Sequence, residues 1–355
     1  MKNSSKTKKK LKIAQIAPLW FPIPPKSYGG VERIVSYVTE TLVEMGHDVT
    51  LFASGDSKTK AKLSSVFPVG LIDYGVPWSD TLANNYNLSQ AFLEAEKFDI
   101  IHSHSGLWTA FFMQFAKHPA VINTLHNIPK GGDWRWQLFE KYKNIYNPIF
   151  ISQKQKQNSP VKFKNDWLVY NGIDVLQYKF NPKPEDKFIW IARVAPEKGV
   201  LNALTVAKKT GVRLTLAGQV QDMQKQFFET KVKPHLNKKI EFIGELSQKQ
   251  LSPFYGSGKA LLYPIEWEEP FGLVLVEAMA CGTPVIAFNK GSIPEIIEHG
   301  KTGFVVNNVD EMIEAMKNID SIDRNECRRA VQERFSKEVM TAEYEKIYYQ
   351  LLEKK

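Results

Sequence analysis

The sequence predicts an α/β protein made of two doubly wound parallel-sheet domains. Strand-length apolar runs alternate with helix-period segments in two series, which is the pattern of a parallel sheet. Between the series lies NPKPEDK, which is proline-rich, charged and without periodicity, as a linker is. A chain of 355 residues with 43% hydrophobic content exceeds the usual size of one domain and can fill two cores.

In the first series, residues 11–17 (LKIAQIA) read as a buried strand, and the loop PLWFPIPPKSYGG leads to a helix from residue 31. Val31, Ile34, Val35, Val38, Leu42 and Met45 recur at helical spacing before Gly46, and the strand DVTLFAS follows. The Gly29-Gly30 pair ahead of the helix lets backbone approach a ligand closely, although its spacing is not the G-x-G-x-x-G of a dinucleotide site. Residues 97–104 (KFDIIHSH) form another strand, with His102 and His104 on one face at its carboxyl end, where open α/β sheets bind ligands. A His-x-His pair suits a metal, but no clear acidic or cysteine complement accompanies this one. The strand AVINTLHN then ends in His126 and Asn127.

The second series opens with a strand at residues 188–192, followed by the loop RVAPEKG. Arg193 and Lys198 on that loop can converge on a pyrophosphate, the arginine as a planar fork and the lysine as a point charge. A helix at 201–210, the strand VRLTLAG, a helix at 221–234, the strand KIEFIGEL, a short helix at 251–257 and the strand ALLYPIE continue the alternation. Next, an acidic loop with Glu266, Glu268 and Glu269 runs into Pro270-Phe271-Gly272 and an apolar helix at 273–280 that closes at Gly282. The free N–H groups of its first turn, at Gly272, Leu273 and Val274, form a seat for an anion. Glu269 before the seat and Glu277 within the helix flank a bound phosphate, and sugar hydroxyls suit both as donors. Glu277 lies among apolar neighbours and needs a partner. A final helix at 338–355 carries Met340, Tyr344, Ile347, Tyr348, Leu351 and Leu352 on one stripe, as a docking helix does.

The net charge is +9, yet Lys2, Lys6, Lys8, Lys9, Lys10 and Lys12 supply six of those charges, so the remaining body is not markedly basic. The tail reads as a disordered solubilising leader or as a contact with anionic lipid. Neither a signal peptide nor a run long enough to span a membrane is visible, so a cytoplasmic protein is expected, with a peripheral position on the inner membrane face as its variant. Two cysteines, Cys281 and Cys327, are too few for a disulfide framework or a cysteine-rich zinc site.

The run E-P-F-G-L-x-x-x-E-A-M-A-x-G-x-P-V-I-A, followed by G-x-x-P-E-I-I and G-x-T-G-F, resembles the family 4 retaining glycosyltransferases of the GT-B fold, the group 1 glycosyl transferases. The resemblance implies two Rossmann-like domains facing across a cleft, with the last helix crossing back to the first domain. Residues 1–10 are then a basic tail, 11–180 with 338–355 the acceptor domain, and 185–335 the donor domain. It also implies that Glu269 holds hydroxyls of the donor sugar, Glu277 the nucleotide ribose, and Arg193 and Lys198 the diphosphate. Phe271, Gly272, Leu273 and Val274 complete the seat, the loop with Ile243 holds the base, His126 lies against the donor sugar, and Gly29 and Gly30 approach the phosphates. Catalysis falls to His126, Arg193, Lys198 and Glu269, and the acceptor side to Tyr28, His102 and His104. Asn127 departs from the Asp, Gly or Thr of many members, and Gln219-Val220 replaces a second glycine after Gly218.

The activity so implied is a hexosyltransferase of the EC 2.4 class. It moves a sugar from a UDP- or GDP-linked donor to a carbohydrate, lipid-linked or small-molecule acceptor with retention of configuration, in glycan, glycolipid or glycoconjugate synthesis. The chain lacks the D-x-D element of metal-dependent transferases, so no metal or cofactor is expected. Two other readings stand beside this one: a GT-B relative that epimerises or hydrolyses the nucleotide sugar, and a nucleic-acid binder acting through the tail. The sequence carries no recognised motif for the last.

Overall fold

The computed structural model describes residues 9–26, 29–115 and 120–353. Tyr28 and the tail up to Lys8 lie outside the described residues, and so do the expectations attached to them. The chain forms two units. One comprises Met1–Phe150, Asn158–Val169 and Met340–Lys355, and the other Ile151–Gln157 and Tyr170–Val339.

Among its described residues the first unit holds a parallel sheet of β1 (Lys12–Ile16), β2 (Asp48–Phe52), β3 (Lys62–Ser64), β4 (Ile100–Ser103), β5 (Ala120–Leu125), β6 (Pro148–Phe150) and β7 (Trp167–Leu168), in the order β3-β2-β1-β4-β5-β6-β7. Its central strands are buried on both faces, and therefore read as near-continuous apolar runs. The order reverses between β1 and β4, which opens a crevice beyond their carboxyl ends. The same register sets Gln15 beside His102.

The second unit repeats the plan with β8 (Phe188–Ile191), β9 (Leu214–Ala217), β10 (Ile240–Phe242), β11 (Ala260–Tyr263), β12 (Val285–Phe288) and β13 (Gly303–Val306), ordered β10-β9-β8-β11-β12-β13 and all parallel. Its switch point lies between β8 and β11. The helix Leu273–Ala280 is apolar on nearly every side because it is buried rather than amphipathic.

Three boundaries differ from the sequence reading. Residues 151–157 and 170–180 belong with the second unit, not the first. Backbone N–H groups of Gln153 and Lys154 and the Tyr170 hydroxyl all donate to the Glu295 carboxylate of that unit, at 2.7, 2.7 and 2.9 Å. The helix expected over 221–234 is a succession of short turns of changing period, Asp222–Gln224, Lys225–Phe227, Phe228–Val232 and Lys233–His235. Pro234 lacks an N–H, and the wider π turn at Phe228–Val232 breaks the regular helical hydrogen-bond register.

The helix Lys337–Glu353 returns to the first unit from Met340 onward and buries Tyr344, Ile347, Tyr348 and Leu351. Among the described residues no helix is long and apolar enough to cross a membrane. Cys281 and Cys327 are free and buried.

Candidate active site

Each unit gathers its chemistry at the carboxyl edge of its own sheet. In the second unit the loops after β8 and β11 lie against each other. Gly199 adopts φ +72°, and a Cβ there would fall 1.8 Å from the Pro264 carbonyl oxygen, so only glycine permits this approach. The Glu266 N–H donates to the Glu197 carbonyl at 2.9 Å and joins the two loops.

This contact brings together two residues 71 positions apart. Lys198 Nζ donates to Glu269 Oε2 at 3.0 Å, with both side chains largely buried. The same oxygen accepts from the Tyr263 hydroxyl at 2.8 Å and from Trp267 Nε1 at 3.0 Å, while the Lys198 ammonium sits 4.4 Å from the centre of the Trp267 ring. Among the described residues nothing donates to Oε1 of Glu269, so half of the carboxylate is free for a ligand. Burial and the adjacent carboxylate raise the Tyr263 phenol well above its ordinary range, and it stays a donor.

The seat follows directly. Gly272 has φ +84° and ψ +69°, and no side chain caps the helix Leu273–Ala280 that begins after it. Its first-turn N–H groups are therefore available to an anion. Arg193 Nη2 is paired with Glu197 at 2.7 Å, so in this state the loop carries its cation already matched. Glu266 and Glu268 accept from Asn202 and from the Gly291 N–H, which leaves Glu269 as the acid of that loop facing the cation.

Glu277 is buried among apolar residues and does have partners: the Tyr178 hydroxyl donates to Oε1 at 2.8 Å and the Tyr255 hydroxyl to Oε2 at 2.6 Å. Each oxygen retains a second lone pair. The Phe271 ring does not enter the seat. It packs with Tyr170 and Phe335 at 6.3 and 5.8 Å, and the residue's carbonyl accepts from Ser292. Ile243, at the end of β10, is about half exposed.

In the first unit the crevice between β1 and β4 is a cavity of about 400 Å³, with His104, His126, Glu32, Trp20, Trp78 and Trp108 in its wall. A chain of hydrogen bonds runs inward from it. His126 Nε2 meets His104 Nδ1 at 2.9 Å, His104 Nε2 meets Gln15 Oε1 at 3.2 Å, and Gln15 Nε2 lies 3.3 Å from His102 Nδ1. His102 Nε2 meets Thr124 Oγ1 at 2.8 Å, and Thr124 donates to the Tyr344 hydroxyl at 3.1 Å. The Tyr348 hydroxyl closes the group against His102 Nδ1 at 2.8 Å and Gln15 Nε2 at 3.2 Å.

With the Gln15 amide so oriented, one proton per ring satisfies every bond. His126 then carries its proton on Nε2 and presents an unprotonated Nδ1. Burial holds all three rings neutral: it pushes His102 down to about 3 and His126 to about 4, and burial with the neighbouring rings takes His104 well below the usual histidine range.

These positions correct one expectation. His102 is fully buried, with both ring nitrogens bonded inside the unit, so it supports the cavity but cannot touch an acceptor. His104, two residues on and at the strand end, does reach the wall. Gly30 lines the cavity, and Gly29 (φ +141°) packs against Pro25. Sequence reasoning missed Tyr263 and Trp267 beside Glu269, the two tyrosines on Glu277, and Glu32. It also passed over Gln15, whose polar side chain inside an apolar strand was a signal that the strand carries more than core.

Sucrose-phosphate synthase from Thermosynechococcus elongatus superposes with a TM-score of 0.80 at 19% identity, covering 98% of this chain and all of that one. Anabaena HepE, solved in complex with UDP and glucose, gives 0.74 at 18% identity over 96% of this chain and 100% of its own. The fold is that of the GT-B glycosyltransferases. In sequence, N-acetyl-alpha-D-glucosaminyl L-malate synthase of Bacillus anthracis is 24% identical over 92% of this chain and 95% of its own length. Residues 28–175 match Glycosyltransferase Family 4 and residues 176–339 match Glycosyl transferases group 1. The ranges abut, and the chain belongs to this family of glycosyltransferases.

Proposed function

We propose that the protein moves a hexosyl group from a UDP- or GDP-linked donor, bound by the second unit, to a hydroxyl of an acceptor bound by the first, with retention of configuration and without a metal. The observation that carries this reading is the Lys198–Glu269 pair, 3.0 Å apart and directly before the uncapped helix at Gly272. It sets a cation for phosphate beside a carboxylate with one free oxygen for a sugar hydroxyl. Charge developing on the leaving diphosphate falls to Lys198, to the helix N–H groups, and to Arg193 once it exchanges Glu197 for phosphate. His126 offers its unprotonated Nδ1 to a sugar hydroxyl. Glu269 is engaged in holding donor and lysine, so the route is front-face, without a covalent glycosyl intermediate. The UDP and glucose of the Anabaena neighbour support the donor class.

The test is calorimetry with UDP and GDP beside turnover with a panel of nucleotide sugars. Glu269→Gln should bind the nucleotide nearly as the parent does yet lose turnover, because the free nucleotide lacks the transferred sugar. Lys198→Met should weaken the nucleotide by roughly tenfold or more, the worth of a charged hydrogen bond. Full activity in Glu269→Gln, or unchanged nucleotide binding in Lys198→Met, would sink the assignment.

A further inference from the structure

We infer that the cavity of the first unit takes a neutral, hydroxyl-rich ring, that is, a carbohydrate acceptor without an anionic group at its reacting end, and that Glu32 selects it. The inference rests on the proposed transfer reaction and narrows its acceptor. Glu32 stands in the first turn of the helix Gly30–Glu44, in the cavity wall, and is only 4% exposed. Among the described residues no side chain donates to its carboxyl group, and burial pushes it up to about 7, with its own backbone N–H and the charge of Arg33 opposing. A buried acid with only its own backbone N–H as a donor has acceptor capacity left over, and a ligand's hydroxyls can fill it.

The rest of the wall agrees. Among the described residues that line the cavity there is no lysine or arginine, and its two histidines are held neutral by burial. A carboxylate or phosphate placed there would face Glu32 with no counter-ion. The apolar part of the wall is aromatic, with Trp20 and Trp78 tilted by 42° to each other. Trp20 and Trp78 lie with ring centres 4.7 Å apart, and Trp78 and Trp108 are 49% and 45% exposed. Such faces cover the C–H side of a sugar ring while its hydroxyls turn toward Glu32 and His126 Nδ1.

The experiment uses the full chain and saturation-transfer NMR. The probes are methyl glycosides of glucose, galactose, mannose and N-acetylglucosamine, set against glucose 6-phosphate, glucuronate and L-malate. At least one neutral glycoside should bind about tenfold or more tightly than the three anions. Glu32→Gln should shrink that ratio severalfold by admitting anions, and Trp78→Ala, at an exposed position, should weaken the glycoside alone. Anions binding as well as glycosides in the parent overturn the inference, as does an unchanged ratio in Glu32→Gln or the absence of any glycoside signal. Calorimetry with UDP and GDP on the same samples separates the two failures. Nucleotide binding without glycoside binding rejects this inference alone, and the reverse rejects the donor site alone.

Discussion

Lowering the pH from 7.5 to 5.5 should loosen the first unit by an amount that the buried groups fix. The unfolded chain protonates its histidines near 6.5, whereas burial holds His102 down to about 3 and His126 to about 4, and holds His104 well below the usual histidine range. Stability is therefore lost as the pH falls, by about 1.4 kcal/mol for each ring and about 4 kcal/mol for three. This cost is set by the unfolded value alone, because none of the folded rings titrates in the window. Glu32 acts in the opposite sense. Raised to about 7 from 4.5, it takes its proton in the fold before the unfolded chain does, so acid stabilises. Over the same interval it returns about 2 kcal/mol, which leaves a net loss of about 2. His104 and His126 share its cavity and Arg33 adjoins it in sequence, and none of the three changes charge between these pH values. Hydrogen exchange of peptides from β4 and β5, corrected for intrinsic rates, should show protection falling roughly thirtyfold in the parent and several hundredfold in Glu32→Gln, which lacks the compensating proton. Equal losses in the two proteins, or no loss in either, would refute the charge states assigned to the network.

Gly199→Ala should destabilise the second unit by roughly 3 kcal/mol or more, because a Cβ meets backbone rather than a movable side chain; denaturant unfolding within about 1 kcal/mol of the parent would count against the tight loop contact. Tyr348→Phe strips a donor from His102 and an acceptor from Gln15 inside the first unit, and should cost about 1–3 kcal/mol in the same measurement. Excess EDTA should leave turnover unchanged where cations of the protein neutralise the diphosphate, and an enzyme silenced by chelation and rescued by Mg²⁺ would contradict that role for Lys198 and Arg193.

Local pattern made much of this molecule readable. The helix Leu273–Ala280 is bounded as its proline and glycines indicate, and the strands that enclose the two switch points stand out as apolar runs flanked by glycine and polar turns. What escaped is long-range pairing. Nothing local to Lys198 says that its partner is Glu269, and nothing near Glu277 points to Tyr178, 99 residues earlier. His102 and His104 look equivalent in sequence because strand alternation puts both on one face. Only the packing of a helix from the far end of the chain separates the buried ring from the one at the wall. Glu32 reads as an ordinary acidic residue in a first helical turn, and nothing local in the sequence shows that it is buried in a cavity wall.

That far helix has a consequence for how the protein is made. Tyr344 and Tyr348 close the polar network of the first unit, yet they are synthesised after the whole of Tyr170–Val339. The second unit can thus finish folding while the first, begun earlier on the ribosome, still waits with Gln15, His102 and Thr124 incompletely paired and a sheet face uncovered. A nascent chain stalled before residue 340 presents those unsatisfied groups and apolar strands to chaperones and proteases. A premature stop there removes no residue of the donor seat, and still leaves a protein that quality control would clear.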